Sequence, residues 1–174
     1  MSKSISVGVS SCLLGHNVRY DGQNKRHDLV LALCDDFHCV AICPELAIGL
    51  GVPRMPVNII QTGHQQRVRG SADGQLDVTD QLMDYADHIN DSMPEICGYI
   101  FKSRSPSCGV QSTPCFDEHE KQIGVTSGIY SGRIIQRVPD LPVVEETQLT
   151  SESDVKDFAN AVRTYWAAKH GVMD

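Results

Sequence analysis

Short apolar runs separated by helical patterns constrain this chain more than any other feature. Residues 5–10 (Ile-Ser-Val-Gly-Val-Ser), 39–42 (Cys-Val-Ala-Ile) and 98–102 (Gly-Tyr-Ile-Phe-Lys) are too short for helices and read as buried strands. Between the first two, residues 25–35 place Leu29, Val30, Leu33 and Cys34 at helical spacing. Before the third, residues 80–92 repeat that spacing with Leu82, Met83, Tyr85, Ala86 and Ile89. Thr79 and Asp80 are N-cap candidates there, and Pro94 is a stop. A helix over 127–138, a strand over 141–145 and a helix from Ser151 or Ser153 to Lys169 complete the pattern. Glu152, Asp154 and Asp157 suit the positive end of that last helix, and Lys169-His170-Gly171 its other end. Strands alternating with helices predict an α/β domain built on a mainly parallel sheet. Gly49, Gly51, Pro53 and Pro56 predict a rigid, non-helical loop, and residues 66–78 a hairpin turning at Asp73-Gly74.

A chain of 174 residues fits one domain spanning 1–174 with room for a core. Fifteen Lys and Arg against twenty-two Asp and Glu give a net charge of −7, which argues against gripping a nucleic-acid backbone. No apolar run is long enough for a membrane span, so no membrane partner is expected. The N-terminal Met-Ser-Lys-Ser-Ile-Ser precedes only a short apolar run, without the core of a signal peptide, and predicts a cytoplasmic protein.

Seven cysteines are many for such a chain. In a reducing compartment they are buried small hydrophobes, a catalytic thiol, or metal and cluster ligands, rather than a disulfide framework. Cys12, Cys43 and Cys108 stand apart, because each follows a predicted strand. In an open parallel sheet that edge is where ligands bind. Cys34, Cys39, Cys97 and Cys115 read as structural. Strand ends near a core also suit a plainly buried Cys, so placement alone leaves both readings open.

The neighbours add chemistry. Cys43-Pro44-Glu45 sets a carboxylate two residues from a thiol, and Ser105-Pro106-Ser107-Cys108-Gly109 sets two hydroxyls beside another. Pro53-Arg54-Met55-Pro56 holds an Arg between prolines. Structural zinc wants four ligands, commonly in Cys-x-x-Cys pairs, and the chain has no such pair. A cubane iron–sulfur cluster normally takes four cysteines; three would leave one iron open to a soft sulfur atom.

Three motifs in order, Ser-Cys-Leu-Leu-Gly with Val-Arg-Tyr-Asp-Gly (11–22), Cys-Pro-Glu-Leu with Gly-Leu-Gly-Val-Pro-Arg-Met-Pro (43–56) and Phe-Lys-Ser-Arg-Ser-Pro-Ser-Cys-Gly (101–109), resemble the thiouracil desulfidase family. The resemblance spans about residues 5–147. It implies a Rossmann-like three-layer α/β sandwich carrying a [4Fe-4S] cluster on three cysteines. It also implies an enzyme that cleaves the C–S bond of thiolated pyrimidines, giving uracil and sulfide from 2-thiouracil. On that resemblance Cys12, Cys43 and Cys108 are the cluster ligands, Glu45 the acid/base and Ser105 its partner near the substrate. Relatives with an extra domain act on thiolated nucleotides; none is seen here, which favours a free base as the small-molecule substrate. Arg19, Arg54 and Arg104 are candidates for closing the pocket or balancing cluster charge, or are surface ion-pair residues. Two other readings remain: a hydrolase with one nucleophilic Cys, a His and an acid, and a non-catalytic Fe–S or zinc module. The oligomeric state is left open.

Overall fold

The computed structural model describes residues 5–172. Residues 1–4, part of the stretch read for a targeting signal, lie outside it. Two four-stranded sheets organise the described residues. The first contains β1 (Ser6–Ser10), β2 (His38–Ile42), β5 (Ile96–Phe101) and β8 (Val143–Glu145), in the order β2-β1-β5-β8 and parallel throughout. Its crossovers use α1 (Asp28–Leu33), α3 (Thr79–Ser92) and α4 (Ile129–Arg137), and α5 (Glu152–His170) follows the last strand.

The sheet is buried on both faces, which makes three layers. Val7, Val9 and Ile100 pack with Val30, Leu33, Phe158 and Val162 on the side of α1 and α5. Tyr99, Phe101 and Ile42 pack with Ala86, Ile89, Tyr130 and Ile134 on the side of α3 and α4. A register shift between β1 and β5 lets Cys97 and Ile100 share the first face while Tyr99 and Phe101 take the second. Gly8 is required where β1 passes Tyr99, because a Cβ there would stand 2.6 Å from its ring. This is the α/β architecture with a mainly parallel sheet that the alternation predicts.

The chain runs from β1 to β2 on one side and returns to β5 on the other, so the strand order reverses at β1. Such a reversal opens a crevice beyond the carboxyl ends of the strands. Cys12 lies in the short turn of helix Ser11–Leu14 directly after β1. Cys43 caps α2 (Pro44–Ala47) after β2, with Pro44 in its first turn. Cys108 lies in the loop after β5.

The second sheet, in the order β4-β3-β6-β7, joins β3 (Val57–Thr62), β4 (Gln65–Gly70), β6 (Thr113–Phe116) and β7 (Gln122–Thr126). Here the expected hairpin is corrected. Its turn is Gly63-His64, with Gly63 at φ 60°, where a II′ turn places glycine. Asp73-Gly74 instead sits in a loop that rejoins β4 through one bridge, Arg69 to Asp77. The start of α3 differs as well. Val78 occupies the N-cap position, and the Thr79 hydroxyl accepts the Val68 N–H at 2.8 Å and donates to Asp77. Cys34 and Cys39, read as separate structural thiols, form a disulfide across the turn between α1 and β2, with Cα atoms 5.5 Å apart. No helix among the described residues is long and apolar enough to cross a membrane.

Candidate functional site

Cys12, Cys43, Cys108, Glu45 and Ser105 all line one cavity of about 350 Å³ at the carboxyl edge of the first sheet. Three adjacent strands deliver the thiols, so residues far apart in sequence become neighbours. All three are free, whereas Cys97 and Cys115 are free but buried in packing clusters away from the cavity.

Burial pushes the Cys12 thiol up to about 11, against the pull of Arg19 and Lys102, while Cys43 adds to the rise. Burial likewise raises Cys43 and Cys108. At Cys108 the Ser10 hydroxyl opposes that rise, and Cys43, Cys12 and Glu45 reinforce it. Cys12 thus feels Cys43, and Cys108 feels both, so burial and neighbouring thiols together disfavour the thiolate forms. A metal centre reverses this balance by taking the thiolates and releasing their protons. No group of three or more His, Cys, Asp and Glu side chains among the described residues is set to hold a metal ion.

Glu45 lies two residues after Cys43, in the first turn of α2, and is held at both oxygens. Arg54 reaches Oε2 through Nε at 3.0 Å and Nη2 at 2.9 Å, and the Ser107 hydroxyl donates to Oε1 at 2.8 Å. Arg54 also donates through Nη1 to the carbonyls of Val18 at 2.9 Å and Gly51 at 2.8 Å. The Pro-Arg-Met-Pro segment thus fixes the carboxylate and pins the 16–20 loop at the same time. Arg54, one of three arginines that the sequence left with no settled role, proves to be the carboxylate's clamp.

Ser105 takes a different place from Ser107. Its Oγ accepts the N–H groups of Ser107 at 3.2 Å and Cys108 at 3.1 Å, which shapes the loop that presents Cys108. The hydroxyl that meets Glu45 belongs to Ser107. Both serines sit in Ser-Pro-Ser-Cys, and nothing in their spacing separates their roles. Beside them, Lys102 and Glu146 form a buried ion pair. Burial resists the Glu146 charge, but hydrogen bonds from Lys102 and from the Ser103 hydroxyl and N–H outweigh it, so its carboxyl lies below its ordinary value.

A parallel sheet with a reversal at β1, and a cavity there lined by three free thiols and a clamped carboxylate, defines an α/β protein with a thiol-lined cavity at its strand-order reversal. Within that class the chain belongs to the 2-thiouracil desulfurase family, whose sequence model matches residues 7–146. It is 36% identical over 113 residues to the uncharacterized protein YbbK of Bacillus subtilis (strain 168), covering 58% of this chain and 71% of that protein. Among solved structures it resembles the [4Fe-4S]-dependent thiouracil desulfidase TudS, with a TM-score of 0.68 and 28% identity. That match covers 91% of this chain and 98% of TudS.

Proposed function

We propose that this chain is a [4Fe-4S]-dependent desulfidase that removes sulfur from thiolated pyrimidine bases, converting 2-thiouracil and water into uracil and sulfide. Cys12, Cys43 and Cys108 are its cluster ligands. The observation that carries this reading is the arrival of three free thiols, from three adjacent strands, in one cavity beside a fixed carboxylate. The donor set suits the group: three free cysteines, the residue type that holds such clusters, line one cavity. Cationic Lys102, which draws the Cys12 thiol down, suits the negative charge of thiolate ligands. When bound, a cluster on three thiolates offers one iron position to a soft sulfur.

The rest of the chemistry belongs to side chains. Replacing C=S by C=O needs a water oxygen on the ring carbon, with the water's protons carried away from it. Arg54 occupies Oε2 of Glu45 twice, which leaves Oε1, with one bond from Ser107, to take a proton from water and pass it to the departing sulfide, while both ring nitrogens keep their hydrogens. Ser105 accepts two N–H groups at Oγ and keeps its own proton to donate towards the substrate.

A cysteine-nucleophile hydrolase is the less favoured reading. A nucleophilic thiol needs a lowered pKa and an adjacent base. Here burial raises all three thiols, and no histidine is among the residues lining the cavity. The test is anaerobic turnover of 2-thiouracil by the reconstituted protein, with free sulfide as readout. Sulfide release that depends on added iron is expected. No sulfide from any thiolated pyrimidine would overturn the proposal.

A further inference from the structure

Five cationic side chains line the cavity: Arg19, Lys25, Arg54, Lys102 and Arg104. Most are already committed or stand at the rim. Arg54 is held by Glu45 and two carbonyls. Lys102 donates to the Ser103 carbonyl and hydroxyl, each at 3.0 Å, and to Glu146. Lys25 and Arg104 are exposed. Arg19 differs from all of these. Its side chain is 23% exposed, and its Nε is buried without any hydrogen-bond partner. The nearest carboxylate oxygen, on Asp21, stands 3.8 Å away, beyond hydrogen-bonding reach.

The backbone around Arg19 is fixed even though its head is not. Its N–H donates to the Gln23 carbonyl at 3.2 Å, and its carbonyl accepts from Gly22 at 2.9 Å. The guanidinium lies over the Tyr20 ring, 5.6 Å from the centroid. Arg19 is therefore a planar donor on a fixed backbone: it lines the cavity that holds Cys12, and its guanidinium has an N–H still unmet.

A thiolated oxopyrimidine has two unlike ends. Its soft sulfur belongs on the thiol side of the cavity. Its carbonyl oxygen, once out of water, needs a donor. We propose that Arg19 is the specificity-determining residue that receives this carbonyl, so that the site selects thiolated bases carrying an oxo group over thiolated rings that lack one. The inference rests on the desulfidase reading for the identity of the ligand. It assigns Arg19 to the substrate's oxygen edge rather than to the cluster.

The experiment uses anaerobically reconstituted protein and compares the parent with Arg19→Met and Arg19→Lys. Equilibrium dialysis measures uracil binding; kinetics follow 2-thiouracil turnover, giving kcat and KM, and its inhibition by 2-thiopyrimidine, which has no oxo group. Arg19→Met should weaken uracil binding and raise KM for the thiouracil substrate by about 10–100-fold, the worth of one charge-assisted contact. Inhibition by 2-thiopyrimidine should change by less than about threefold on that scale, and Arg19→Lys should recover part of the loss. Iron content and the visible cluster absorbance should not change. Equal losses for the oxo and oxo-free rings would overturn the inference, as would a parent that binds uracil no more tightly than pyrimidine. Loss of iron in both variants would also overturn it, by assigning Arg19 to cluster charge. If the parent releases no sulfide yet its uracil binding still depends on Arg19, the desulfidase reading fails and the carbonyl-binding role stands.

Discussion

Arg54 and Glu45 meet on a single oxygen: two guanidinium nitrogens converge on Oε2, and Oε1 is left to the Ser107 hydroxyl. The two side chains are only 7% and 13% exposed, so this is a buried pair rather than a surface contact. Removing one partner of such a pair strands the other charge, at about 3–5 kcal/mol. Arg54→Met should therefore lower the urea midpoint by a corresponding amount. Adding Glu45→Gln should recover part of that loss, because no unpaired charge remains. A double variant whose loss equals the sum of the singles would show that the pair does not couple.

The cluster assignment separates the free cysteines into two sets. Cys12→Ser, Cys43→Ser and Cys108→Ser should each abolish iron retention after anaerobic reconstitution. Cys97→Ser and Cys115→Ser lie in packing clusters and should keep it. Iron per chain and the visible absorbance check this directly. Full iron in the Cys12→Ser protein would remove Cys12 from the ligand set.

Glu45→Gln keeps the shape of the side chain but cannot take a proton from water. It should leave iron content intact and slow sulfide release by about 10²–10⁴-fold. Ser107→Ala removes one hydrogen bond from Glu45 and should cost up to about tenfold. Ser105→Ala acts elsewhere, because it strips the acceptor from two N–H groups of the Cys108 loop. Its first effect should be on iron retention. Equal rates for the parent and Glu45→Gln would take Glu45 out of the chemistry.

The parts legible in the sequence are those fixed by strong local periodicity. The strands of the first sheet and helices α3, α4 and α5 end within a few residues of expectation, because two-sided burial forces continuous apolar runs. The grouping of Cys12, Cys43 and Cys108 followed from strand ends alone, since an open parallel sheet directs all such ends to one edge. The second sheet was hidden. β7 exposes Ile123 and Val125, and β3 follows buried Val57 and Ile59 with half-buried Ile60, Gln61 and Thr62, so neither carries a clean alternation. Gly63-His64 turns the hairpin with weaker local signals than Asp73-Gly74. Ser107 and Arg54 were hidden for another reason: their contacts with Glu45 span 62 and 9 residues, and only the fold sets those distances.

Acid should weaken the junction between β4 and α3. Burial resists the Asp77 charge, but Arg67 at 2.9 and 3.0 Å and Thr79 outweigh it and hold the carboxyl well below its ordinary value of 3.8. A carboxyl lowered in the folded state contributes its full stability above the unfolded value and loses it as pH falls through the folded one. Stability should thus fall as pH drops below about 4. Asp77→Asn should be less stable than the parent near neutrality and show a shallower acid decline. Urea midpoints from pH 7 to pH 3 on that scale would show this; parallel curves for the two proteins would contradict it.

The Cys108 loop is held from behind by the first turn of α4, at a position with no chemistry of its own. The N–H of Gly128 donates to the Gly109 carbonyl at 2.7 Å, that of Ile129 to Pro106 at 3.1 Å and that of Ser131 to Ser107 at 3.0 Å. The free amides of a helix start thus satisfy the carbonyls of the loop that carries Cys108. Gly128 permits this approach only because it lacks a side chain. A Cβ there would stand 2.4 Å from the Ser107 carbonyl carbon and oxygen and 2.7 Å from the Cys108 nitrogen. Those neighbours are backbone atoms and cannot turn aside, so Gly128→Ala must displace the loop or the helix, at about 1–3 kcal/mol. Gly132, one turn further along α4, is the control: its Cβ would meet only the Ser127 Cβ at an ordinary 3.7 Å. Gly132→Ala should keep full iron and gain about 0.5–1 kcal/mol from helix propensity. Gly128→Ala should retain less iron per chain and release sulfide in proportion to the iron it keeps. Equal iron in the two variants would show that the loop reaches its ligand position without the support of α4.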